Sequence, residues 1–168
     1  MVDHLHETLS SSKQQDILVF FCFAMCSQVD VITSLLAQLV QQDDRRIHAL
    51  NQKDQYLLLA SFNPGCDIQE KELWGLFKRA IQVKCKSGVT IIIDGIDAID
   101  PEPERKSFAI KLRDLYEATN LDRSLQLRCL VTSRPYQPIV EVFKLLNTID
   151  PASEMLGKLD MIRDHTLC

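Results

Sequence analysis

Three short apolar runs punctuate the chain, and stretches with helical spacing separate them. Ile17 to Phe23 is a continuous apolar and aromatic run. Val89 to Ile93 is a second, with β-branched residues throughout, and Leu127 to Val131 is the third. Runs this short and rich in β-formers predict strands of a buried sheet, and Val89–Ile93 is expected to be buried on both faces. Between the first two runs, Val29, Ile32, Leu35, Leu36, Leu39 and Val40 recur at the spacing of one helix face. A second helical stretch follows the polar Gln41-Gln42-Asp43-Asp44 and extends to about Ala60. After the turn Asn63-Pro64-Gly65, Asp67 and Glu70 have the spacing of an N-cap and its reciprocating acid. They open a helix whose face carries Leu73, Leu76, Phe77, Ala80 and Ile81, with Trp74 at its edge. Lys84 to Gly88 is the turn into the second strand. Phe108, Leu112, Leu115 and Tyr116 mark another amphipathic helix, and Pro138 to Leu146 a short one. Val2, Leu5 and Leu9 look like the end of a helix, broken by Ser10-Ser11-Ser12. Strands alternating with helices predict an α/β fold with a mainly parallel sheet.

Composition narrows the function classes. The 168 residues are 46% hydrophobic and 25% charged, which suits one domain with a real core. A net charge of -4 argues against nucleic-acid binding, which requires a basic surface. The longest apolar run, Ile17 to Met25, is too short to span a bilayer, so no membrane partner is expected. The six cysteines include no C-x-x-C pair, which argues against zinc. Residues 1–15 are polar and contain acids, unlike a secretory signal, so reduced thiols in the cytosol are expected. His4 and His6 would point to different faces of a helix, and no third ligand is near, so they read as surface residues.

The candidate chemistry sits where the strands end. In an open parallel sheet, ligands bind at the carboxyl ends of strands. The second strand ends in Asp94-Gly95-Ile96-Asp97, and the third runs into Thr132-Ser133-Arg134-Pro135. Two carboxylates and a guanidinium are thereby delivered to one edge of the sheet. A calcium loop over 94–104 is rejected, because the acids fall three apart and Gly95 sits second. On the residues alone, a pair of turns with solvated charges is an equal reading.

The order of these segments resembles the NACHT branch of the STAND nucleotide-switch proteins, and within it the nephrocystin-3-like N-terminal region of fungal type. The resemblance covers about residues 1–145. It rests on the aromatic strand, the helix Val31 to Leu39, the Asp94 segment (Walker B) and Thr132-Ser133-Arg134-Pro135 (sensor 1). It implies a three-layer P-loop-NTPase-like core over 1–146, followed by a tail, 147–168, with no family feature. It also implies that Asp94 holds the water shell of Mg²⁺, that Asp97 orients the attacking water, and that Arg134 senses the γ-phosphate of ATP or GTP.

The departures shape the expectation. No G-x-x-x-x-G-K-[ST] occurs, and Gly65, Gly75, Gly88, Gly95 and Gly157 all lie outside any such loop. The chain is expected to start just after the P-loop and to lack the first strand, so that triphosphate binding is weak or absent. Ala98 stands where the family usually carries Glu, which weakens the case for hydrolysis. The family's first strand lies beside the strand ending at Thr132. Its loss would leave an edge for pairing with a second copy or another protein. A non-catalytic interaction module is therefore the alternative. An active metal hydrolase using loop 94–104 is disfavoured, because no His, Cys or Lys constellation for a nucleophile or base lies nearby.

Overall fold

A computed structural model describes residues 16–42, 48–63, 65–66, 68–84, 88–121, 126–144 and 146. The elements are β1 (Asp16–Phe21), α1 (Gln28–Gln42), α2 (Gln52–Ser61), α3 (Glu70–Lys84), β2 (Val89–Asp94), α4 (Glu102–Leu121), β3 (Leu127–Val131) and α5 (Gln137–Phe143), with a 3₁₀ turn at Ile96–Ala98. The expected helix end at Val2–Leu9, the cap at Asp67, the turn at 85–87, the histidines His4 and His6 and the tail 147–168 lie outside the described residues.

The fold is α/β. The three strands form one parallel sheet in the order β1-β2-β3, so each strand pairs with its neighbour in sequence. Parallel neighbours require crossovers, which the helices provide. This is a P-loop-like core without a first strand among the described residues.

One sheet face carries the core. Leu18, Phe20, Val89, Ile91, Ile93 and Leu127 cluster with Val31, Ile32, Leu35, Leu36 and Leu39 of α1. Leu73, Leu76, Phe77 and Ile81 of α3 and Phe108, Ala109, Leu112 and Leu115 of α4 complete it. The face expected for α3 is buried at every position, and Trp74 rests on Phe77 and Phe108, with ring centroids 5.6 and 6.1 Å away. Burial of an aliphatic or aromatic side chain of this kind contributes about 1.5–3 kcal/mol.

The opposite face differs from the sequence expectation. Val19, Ile92 and Leu130 stand in one row across the three strands, outside that cluster. Val19 and Ile92 are half-buried and Leu130 is 55% exposed. The described helices direct their buried residues to the other face. The apolar character of the run therefore does not translate into equal burial on both sides.

Two local devices were not expected. The α1 helix starts at Ser27-x-x-Asp30, a reciprocal cap in which Asp30 N–H donates to Ser27 Oγ (3.2 Å) and Ser27 N–H to Asp30 Oδ2 (2.8 Å). Two turns further on, the Gln38 amide binds the outer edge of β1. Val19 N–H donates to Gln38 Oε1 (2.8 Å), and Gln38 Nε2 donates to Val19 O (2.7 Å). Gln42 Nε2 donates to Ile17 O at 2.8 Å. These amides occupy the backbone groups that another strand would need.

Candidate functional site

Strand β2 ends at Asp94, whose side chain emerges exposed beyond the carboxyl edge of the sheet. The chain then turns sharply. Gly95 has φ +75°, the left-handed region that favours glycine, and it leads directly into the 3₁₀ turn. That turn brings Asp97 back under the strand end, with its side chain 9% exposed.

The adjacent strand supplies the other half of the site. Past the end of β3, Thr132 continues the ladder: its N–H donates to Ile93 O (2.9 Å), and its carbonyl accepts from Ile96 N–H (3.0 Å). Its hydroxyl donates to Asp94 Oδ1 and accepts from Gly95 N–H (2.9 Å). Thr132 thus fixes both the Asp94 carboxylate and the turn after it. The motif Thr132-Ser133-Arg134-Pro135 contains this threonine without disclosing its role, since the bond depends on strand register.

Arg134 follows two residues later. Its N–H donates to Asp97 Oδ1 (3.0 Å) and its Nε to Asp97 Oδ2 (2.6 Å). The Arg134 side chain is 85% exposed. Burial pushes the Asp97 carboxyl up, but the side-chain and backbone hydrogen bonds from Arg134, with its charge, outweigh burial and hold it below the usual carboxylate value. Behind Arg134, Tyr136 N–H donates to the Arg134 carbonyl (2.6 Å). The Tyr136 ring lies 5.0 Å from the Arg105 guanidinium.

Asp94, Gly95, Asp97, Ala98, Thr132, Ser133 and Arg134 line a cleft of about 360 Å³. All three residues singled out from the sequence therefore border one cavity. Cys22, at the end of β1, is a neighbour that the sequence did not reveal. Its backbone N–H donates to the Asp94 carbonyl at 2.8 Å. Burial, the adjacent Cys26 thiol and the negative charges of Asp94 and Asp97 push the Cys22 thiol up to about 12. At neutral pH it stays protonated, which disqualifies it as a nucleophile.

The donor set suits a hard, hydrated cation better than a fully caged one. Asp94 Oδ2 carries no hydrogen bond among the described residues. One or two carboxylates suffice for Mg²⁺, which keeps most of its waters. No group of three His, Cys, Asp or Glu side chains converges among the described residues, as a softer or larger ion would ask. The exposed guanidinium of Arg134 suits an anionic oxygen.

The sequence profile of the nephrocystin 3 N-terminal family matches residues 1–134. The chain belongs to that family. The family match ends on Arg134 and so takes in Asp94, Asp97 and Thr132 as well. No curated protein and no solved structure matches the chain. Among the described residues of this family member, no helix is long and apolar enough to cross a membrane.

Proposed function

We propose that this chain is part of a NACHT-type nucleotide-switch domain in a cytosolic signalling protein, and that its cleft is the metal and γ-phosphate end of an ATP or GTP site. The observation that carries the reading is the junction of β2 and β3. An exposed carboxylate is fixed by Thr132 on the next strand, with the Arg134 guanidinium anchored beside it on Asp97. Asp94 would take the water shell of Mg²⁺, and Arg134 would meet the γ-phosphate. Asp97 would orient the attacking water through the acceptor capacity left beside Arg134, since each carboxylate oxygen has two lone pairs. Bound nucleotide and Mg²⁺ supply the reacting phosphoryl group and its charge neutralisation.

Among the described residues, no phosphate cradle lines the cleft. No G-x-x-x-x-G-K-[ST] is present in the sequence, and Asp94 and Arg134 do not replace a ring of backbone N–H groups. The chain alone should therefore bind ATP and GTP weakly or not at all. Calorimetry of the 168-residue chain with each nucleotide and Mg²⁺, beside Asp94→Ala, tests this. No heat of binding is expected at micromolar nucleotide. Micromolar binding abolished by Asp94→Ala would overturn it by requiring a cradle of another kind.

A second reading, a protein-interaction module, is favoured by the contrast between the two sheet edges. The outer edge of β1 is closed by Gln38 and Gln42. The outer edge of β3 meets no strand among the described residues.

A further inference from the structure

The loop that carries Arg134 is held from two directions. Residues 132–135 are exposed and belong to no helix or strand. An arginine on such a loop ordinarily samples many rotamers, and fixing it costs conformational entropy. Asp97 grips Arg134 on one side, through the backbone N–H and Nε. On the other side, Tyr136 N–H donates to the Arg134 carbonyl at 2.6 Å and closes a three-residue turn around Pro135. The proline ring fixes φ near the value that such a turn needs, so Arg134 and Tyr136 move together.

Tyr136 is itself held. The Arg105 guanidinium carbon lies 5.0 Å from the centroid of its ring, a cation–π distance. Arg105 is half-buried in the first turn of α4, and its Nε donates to the Ile99 carbonyl at 2.8 Å. Ile99 is fully buried, and its N–H donates to Ile96 O (3.3 Å) in the turn that also carries Asp97. The Glu102 carboxylate stands beside the Tyr136 hydroxyl. Burial, together with that carboxylate, pushes the phenol above its ordinary value. The contacts close a ring. Asp97 meets Arg134, Arg134 meets Tyr136, Tyr136 meets Arg105, and Arg105 returns to Ile99 just past Asp97.

We propose that Arg105 and Tyr136 are positioning residues for Arg134, and that the ring stacked on the Arg105 guanidinium holds the loop so that Arg134 faces the cleft before any ligand arrives. The inference rests on the reading of Arg134 as the γ-phosphate residue and adds what presents it. With its Nε spent on Asp97, Arg134 keeps its terminal nitrogens for an anionic oxygen. Arg105 divides its donors in the same way: Nε goes to Ile99, and the planar guanidinium faces the ring. Tyr136 packs only at the margin of the core. A leucine at 136 would keep that packing but offer the cation no π face.

Hydrogen exchange by ¹⁵N NMR on the full chain tests this. None of its outcomes involves a ligand, so failure of the nucleotide reading leaves them untouched. The readouts are the Arg134 Nε–H and backbone N–H, both donated to Asp97, with the β2 amides reporting overall stability. Tyr136→Leu removes the ring, Arg105→Met removes the cation and keeps the stem, and Tyr136→Phe keeps the ring without the hydroxyl. Both Arg134 groups should exchange roughly fivefold faster in Tyr136→Leu and Arg105→Met, with β2 unchanged, and at the wild-type rate in Tyr136→Phe. Arg134 exchange unmoved by Tyr136→Leu and Arg105→Met would overturn the proposal. Faster exchange throughout β2 would overturn it too, because the two residues would then hold the fold and not the loop. Equal loss of protection in Tyr136→Phe and Tyr136→Leu would overturn the stacking and assign the hold to the hydroxyl. Arg134 groups that already exchange freely in wild type would show that nothing positions this arginine.

Discussion

At the scale of single residues, the site is held by one hydrogen bond from Thr132 to Asp94 and two from Arg134 to Asp97. The Asp97–Arg134 pair has a testable signature. Its carboxyl ionises below the usual aspartate value of about 3.9, so the ionised form is favoured in the folded chain. The resulting stability is fully present above that usual value and is lost as pH falls through the lower folded value. Arg134 is 85% exposed, so solvent screening limits the contribution to about 1 kcal/mol. Asp97→Asn should lower the melting temperature by a few degrees at pH 7, and the gap to wild type should narrow as pH falls below the usual aspartate value of about 3.9. An offset that stays constant from pH 7 to pH 2 would mean that the Asp97 charge contributes nothing.

At the scale of elements, sequence and structure agree where the signal is local. The three strands are legible because short runs dominated by apolar and β-forming residues leave few alternatives. The core face of α3 is legible because Leu73, Leu76, Phe77, Ala80 and Ile81 repeat at helical spacing. Asp94, Asp97 and Arg134 could be nominated together because strand ends of a parallel sheet share one edge. What escaped depends on register or on distant partners. Thr132 reaches Asp94 across 38 residues, and Arg134 reaches Asp97 across 37. Gln38 reads as an ordinary polar position of an amphipathic helix, yet it lies over the β1 edge. The second sheet face reads as buried because hydrophobicity reports what a run prefers, not what covers it. The Gln38 clamp gives the prediction at this scale. Gln38→Ala removes both bonds to Val19, which should speed exchange of the Val19 amide at least tenfold while the β2 amides keep their protection. Unchanged exchange at Val19 would show that the clamp contributes nothing to closing that edge.

At the scale of the whole molecule, the described residues form a three-stranded sheet that is closed along β1, covered by the described helices on one face, and furnished at its carboxyl end with a carboxylate and a guanidinium. On the proposed reading this is the metal and γ-phosphate half of a nucleotide site, and the phosphate cradle is the part to be supplied. The measurement that tests this most directly is calorimetry on a fusion that places a strand and G-x-x-x-x-G-K-[ST] loop from a family relative ahead of Met1. ATP or GTP with Mg²⁺ should then bind in the micromolar range, and Asp94→Ala and Arg134→Ala should each weaken binding by tenfold or more. A folded fusion that binds no nucleotide, or binds it equally well in both variants, would contradict the assignment of this cleft.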